Sequence, residues 1–258
     1  MSQPAVAALA PLPFELVYSD GEPLETNWHV NQISLFKELV EQAMTERGRG
    51  DYFVGGNMFV YYSYEQAQAI AADLNDRRHY RGPDIFYVGG VEARSGRKGW
   101  VVWDEGRHPE VILELLSPST ARIDRTVKKD LYARVFRTPE YFLQDPDQVK
   151  LEGFRLAGGT YQPIVPNAQG RLWSEHLGLE LGLWRGIYRR EENTWVRLFD
   201  GDGRLVPTAD ERAEAASQRA EAERQSAEAA SRRAEAAEAD AAAAKAEVAR
   251  LRALLGSR

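Results

Sequence analysis

The chain contains no cysteine, which excludes disulfides, thiolate nucleophiles and any structural zinc site built on sulfur. Histidine is scarce as well. The four residues His29, His79, His108 and His176 are scattered without metal-ligand spacing, so a metal would be held mainly by oxygen, which points to magnesium or manganese rather than zinc. No stretch approaches the length of a membrane span, and the amino terminus lacks a basic region followed by a sustained apolar run. A soluble, cytoplasmic protein is therefore expected. Positive charge is also in deficit, with a formal net charge of -6 at pH 7. Proteins that grip nucleic acid nonspecifically usually carry a basic excess, so binding DNA would require a local basic face. Arg77, Arg78, Arg81, Arg94, Arg97 and Lys98 offer one candidate face, and Arg122, Arg125, Lys128, Lys129, Arg134 and Arg137 another.

Aromatic residues and proline are absent beyond Thr208, where the chain becomes almost entirely Ala, Glu, Arg and Ser. Upstream it is rich in Trp, Tyr, Phe, Gly and Pro, as a packed domain with many turns should be. This shift divides the 258 residues into a flexible lead over 1–13, a globular domain over 14–207 and a tail over 208–258. The tail repeats Arg-Ala-Glu-Ala from Arg212, Arg219 and Arg233 with a period of seven, and alanines recur at alternating spacings of three and four until Val248, Leu251 and Leu255 continue the seam. Alanine is the strongest helix former, so a long helix is predicted. Its heptad seam, interrupted once at Glu223, suits a coiled coil joining two copies into a homodimer; because alanine buries little area, the alternative is a solvated single helix.

Within the domain, helical spacing of Ile33, Phe36, Leu39, Val40 and Ala43 predicts a helix over 27–47 with Asn27 as its cap. Strands are expected at 52–54 and 58–62, joined as a hairpin through Gly55-Gly56-Asn57. Others are expected at 84–88, 100–103, 111–116 and 141–143, with a polar loop over 89–99. A helix from about Asp124 to Val135 carries Val127, Leu131 and Val135 at four-residue intervals. The pattern is mixed α/β with a helix crossing between strands.

Carboxylates planted in apolar strands are costly to bury unless their charge is compensated. Asp84 follows Pro83 directly into Ile85-Phe86-Tyr87-Val88, and Glu114 lies inside Val111–Leu116. If both face the open side of neighbouring strands, they converge on one magnesium ion, which keeps water in its other positions. Such an ion lowers the pKa of a bound water and offsets charge on a phosphoryl oxygen. Lys128, one turn before Tyr132 on the following helix, could supply the amine, with Lys129 as the competing choice. Glu110 is either a solvent-edge companion of Glu114 or a third ligand.

These segments form a series: Pro-Asp at 83–84, Glu-x-Leu-Ser-Pro-Ser-Thr from 114, Asp-x-x-x-Lys-x-x-x-Tyr from 124, and Pro-Glu-Tyr-Phe-Leu-x-Asp-Pro from 139. The series resembles the Uma family of bacterial restriction endonucleases (the Uma-two group), similar in turn to the PD-(D/E)XK nuclease superfamily. The resemblance spans roughly residues 14–200. It implies a restriction-endonuclease-like α/β core, a central mixed β-sheet flanked by helices, and a magnesium- or manganese-dependent endonuclease acting on DNA. It makes Asp84 and Glu114 the metal ligands. The superfamily's lysine position, two residues after the second acid, holds Leu116 here, so the resemblance moves the lysine role to Lys128. It further suggests a ligand from the first helix, Glu38 or Glu41, and it includes Gly21-Glu22 and His29 without a derived role. The alternative is a catalytically silent scaffold of the same fold whose tail mediates assembly; a weaker third reading is hydrolysis of a smaller phosphate-containing substrate.

Overall fold

The computed structural model describes residues 13–16, 26–73 and 82–255. All but Pro13 of the expected lead, Gly21-Glu22, Arg77, Arg78, His79 and Arg81 lie outside these. Helix α1 (Asn27–Glu46) is capped by Thr26, whose side chain accepts the His29 amide, rather than by Asn27. The Asn27 amide group instead donates to Glu191 Oε2 at 2.9 Å.

Strand β1 (Tyr52–Gly56) contains both glycines expected to form a hairpin turn. A Cβ on Gly55 would lie 2.2 Å from Phe86 Cε1, and one on Gly56 would lie 2.5 Å from Ile33 Cγ2. These glycines admit a ring and a helix side chain against the strand; the turn comes at Asn57, whose φ is 48°. Strand β2 (Val60–Tyr61) therefore does not pair with β1. It lies parallel to β4 (Trp100–Val101), and β1 pairs with β3 (Ile85–Gly89). Ser63 caps α2 (Tyr64–Ala72). The strand expected through Trp103 stops at Val101 and gives way to a single turn, α3 (Val102–Glu105), closed by Gly106 at φ 70°.

Strand β5 (Val111–Leu115) is followed by one helical run, α4, made of Ala121–Ile123, Asp124–Lys128, Lys129–Leu131 and Tyr132–Phe136. Its second and fourth stretches have wide i→i+5 turns. The chain returns through β6 (Glu140–Asp145), parallel to β5, and then β7 (Lys150–Ala157) and β8 (Thr160–Pro163). The resulting sheet has the order β1-β3-β5-β6-β7-β8, antiparallel except at β5-β6. A parallel pair needs a crossover, which lays a helix over one face of the sheet. Strands β9 (Leu172–Ser174), β10 (Leu179–Tyr188) and β11 (Glu191–Phe199) make a second, antiparallel sheet.

Alternation along the strands divides the core in two. Ile85, Tyr87, Val111, Leu113 and Leu115 pack with α1 and the three-stranded sheet. Phe86, Val88, Ile112, Leu116, Tyr141 and Leu143 pack with Tyr132 and Phe136 of α4. The apolar row that marks α4 in the sequence is not its buried row: Val127 is 57 % and Val135 44 % exposed, while Asp124, Tyr132 and Phe136 are buried. In a regular α-helix each i+4 step advances by about 40°, so the row 124/128/132/136 would swing by about 120°. The wide turns offset that drift and keep one line of side chains toward the sheet.

Residues 207–258 form a separate compact unit. Its helix α5 (Ala209–Leu255) runs for 47 residues, about 70 Å at 1.5 Å per residue. Side-chain pairs one turn apart, such as Arg224 with Glu221 at 2.9 Å, decorate it. Among the described residues no helix is long and apolar enough to cross a membrane.

Candidate active site

Asp84 and Glu114 meet because the β3–β5 register, with Ile85 opposite Leu113, continues one residue beyond β3. That step sets Asp84 opposite Glu114. Directly opposed residues on one face stand about 4.5–5.5 Å apart at Cβ, where like charges repel. The Asp84 amide donates to Glu114 Oε2 at 3.3 Å, and Asp84 Oδ2 accepts the Leu115 amide at 2.7 Å. The Asp84 carbonyl is fixed in turn by the Asn57 amide at 2.8 Å.

Both acids point toward α4, on the face expected to be open to solvent. The crossover helix covers that face, and Glu114 is 0 % exposed; only Asp84 and Lys128, both half-buried, border water. Ser117-Pro118-Ser119-Thr120 makes the reversal, with the Thr120 and Ala121 amides donating to the Ser117 carbonyl at 3.2 and 2.9 Å. From there α4 brings in its inward row. Lys128 Nζ is 3.1 Å from Glu114 Oε2 and 2.7 Å from Asp124 Oδ1. The Tyr132 hydroxyl donates to Glu114 Oε1 at 2.8 Å, and the Tyr141 hydroxyl donates to the Asp124 carbonyl at 3.0 Å.

Electrostatics follow from this burial. Loss of water raises the Glu114 carboxyl from 4.5 to about 8, aided by Asp84 and Asp124 and only partly opposed by Lys128. Burial likewise raises Asp84, with Lys128 opposing. Burial disfavours the charge on Lys128, yet Glu114, Asp124 and Asp84 together hold its ammonium above the ordinary lysine range. Three carboxyl groups around one ammonium leave the pocket short of positive charge.

The donors suit a hard divalent cation. They are all oxygen, and two of them are forced together by strand register. Among the described residues no three His, Cys, Asp or Glu side chains form a metal cage. The protein's share would thus be two carboxylates, a number with which a magnesium-like ion keeps most of its water.

The other candidates lie elsewhere. Glu38 accepts from the Tyr188 hydroxyl at 3.1 Å, and Glu41 borders a cleft with Lys37, Arg49 and Tyr52; both belong to α1, on the opposite face of the sheet. Glu110 is at the far end of β5, where it accepts the Gly89 amide at 2.9 Å and pairs with Arg107 at 3.1 Å. Lys129 stacks over the Phe154 ring, 3.2 Å from its centroid, so of the two lysines it is Lys128 that reaches Glu114. Within the two expected basic sets, Arg97 pairs with Glu105 at 2.8 Å, and Arg125 bonds Asp145 and Glu152, while Arg122, Arg134 and Arg137 are exposed. His29, from α1, donates through Nε2 to the Leu115 carbonyl at 3.2 Å, steadying the strand between the two acids. Asp124 is the group that sequence reasoning missed. Its signal is the Asp-x-x-x-Lys spacing, which puts Asp124 one turn before Lys128.

A structure solved at 1.96 Å, titled a putative nuclease belonging to DUF820 from Anabaena variabilis, is similar at 14 % identity and a TM-score of 0.41, over 62 % of this chain and 81 % of that one. No curated protein matches the chain. The Uma2 family model, described as "Putative restriction endonuclease", matches residues 9–191, which hold Asp84, Glu114, Asp124 and Lys128. The chain belongs to the Uma2 family.

Proposed function

We propose that the globular domain is a divalent-metal-dependent endonuclease that hydrolyses DNA phosphodiester bonds in the cytoplasm, with Asp84 and Glu114 holding Mg2+ or Mn2+ and Lys128 as the site's amine. The observation supporting this is the pairing of two carboxyls across adjacent strands beside one lysine, an arrangement in which ionising both acids calls for a further cation. When bound, the cation supplies a water of lowered pKa and offsets charge growing on the phosphoryl oxygen. Asp84, at the solvent edge, and Glu114, beneath it, hold that charge in a fixed place. Tyr132 fixes the free oxygen of Glu114. Lys128 presents a positive charge at the same edge, where it stabilises negative charge in the transition state.

Plasmid nicking in Mg2+ or Mn2+ tests the reading. Wild-type protein nicks DNA and loses activity with a chelator. Asp84→Ala and Glu114→Ala abolish nicking with unchanged folding, and Lys128→Met lowers it on the order of 10²–10³-fold. Nicking that survives in Asp84→Ala would sink the proposal.

The sealed carboxyl of Glu114 favours one second reading, a catalytically silent scaffold whose tail brings two copies together. For the tail, removing residues 209–258 is expected to convert a dimer into a monomer, read as mass in solution relative to the mass of the shortened chain. An unchanged oligomeric state rules out assembly through α5.

A further inference from the structure

Lys128 stands between two carboxylates, and the proposed chemistry uses only one of them. Asp124, the other, is 1 % exposed. It lies one wide turn before Lys128 on α4, and its backbone carbonyl is held by Tyr141. Among the described residues its Oδ1 has the ammonium at 2.7 Å and no further hydrogen-bond donor. The ammonium is thus closer to Asp124 than to Glu114, at 3.1 Å. A buried carboxylate with one charged partner depends on that partner staying. An ammonium and a divalent cation, in contrast, repel each other when both contact one carboxylate.

We infer that Asp124 is a positioning residue: it is the counter-ion onto which the Lys128 ammonium withdraws when a divalent cation takes Glu114. The inference rests on the metal reading above. The lysine's flexible four-carbon stem allows the shift without moving the helix. Asp124 thereby keeps a positive charge at the site's edge and stops that charge from competing for the metal ligand. Without Asp124, Glu114 would be the ammonium's remaining carboxylate contact, and an arriving cation would have to displace it.

Mn2+ binding to the full chain, followed by calorimetry without DNA, tests this. Asp124→Asn weakens Mn2+ binding about 10-fold, the scale of a lost outer-shell partner. Lys128→Met tightens it, since the competitor is gone. The double variant binds as Lys128→Met does, because Asp124 acts only through the lysine. Equal affinity in Asp124→Asn and wild type overturns the inference and leaves the nuclease reading intact. Weakening that persists in the Lys128→Met background also overturns it, by making Asp124 a ligand or a structural prop. Absence of Mn2+ binding by the wild type overturns the inference together with the metal-dependent reading. If Asp124→Asn fails to fold, Lys128→Met decides alone: affinity that does not rise overturns the inference.

Discussion

Glu114→Gln makes the metal-free protein more stable at neutral pH, although it removes a proposed ligand. The Glu114 carboxyl is raised from 4.5 to about 8 by burial. Between those values the folded chain keeps a proton that the unfolded chain has released, so stability falls as pH rises through that window. The penalty is on the order of 3 kcal/mol at pH 7. Asp84, raised for the same reason, adds a contribution of the same sign. Urea unfolding of wild type between pH 5 and pH 8 should therefore show a decline that Glu114→Gln flattens. A wild-type profile as flat as the variant's would mean that Glu114 is already ionised in the fold. Added Mg2+ should reverse the trend, because the cation needs the deprotonated carboxylates and gains affinity as pH rises.

Glu140→Ala lowers stability by on the order of 3 kcal/mol, the loss of several hydrogen bonds to one buried carboxylate. Glu140 is 0 % exposed. It accepts from the Ser174 hydroxyl, the Glu175 amide at 2.9 Å and Arg155 at 3.1 Å, with His176 Nδ1 at 3.5 Å. Burial pushes this carboxyl up, but His176, Ser174, the Glu175 amide and Arg155 outweigh it and hold the group below its ordinary range. Its stabilisation is therefore complete above the unfolded value and disappears as pH falls through the folded one. His176 is raised by the same contact; its part is complete at low pH and is lost as pH rises through the folded value. Urea titrations at neutral pH measure the loss, and a change below about 1 kcal/mol, the scale of one ordinary hydrogen bond, would show that water replaces these partners.

Much of this site could be read from the residue order. Pro83-Asp84 and Glu114 stand out as acids inside apolar strands, but alternation along one strand does not fix the register that sets them opposite each other. Lys128 was within reach because a helix after β5 has to cross back to the sheet. Two kinds of feature escaped. Gly55-Gly56 spells a turn locally, yet its glycines are demanded by Phe86 and Ile33, residues distant in the chain. In α4 the rows 123/127/131/135 and 124/128/132/136 share one spacing, and apolar character singles out the wrong row. The inward row carries Lys128 opposite the buried Glu114 and Asp124 opposite that lysine, an ion-pair chain that apolar periodicity does not signal. The ligand that the resemblance suggests from α1, Glu38 or Glu41, fails because α1 packs on the other face of the sheet, which no local pattern reveals.

The wide turns of α4 make the position of the amine depend on a count. Substitutions along the exposed rows leave the pitch alone, so that surface can vary freely in chemistry. Gaining or losing one residue between Ser117 and Tyr132 would rotate either the lysine or the tyrosine away from Glu114, by about 100° in regular helix. This stretch should accordingly accept many letters and almost no change of length.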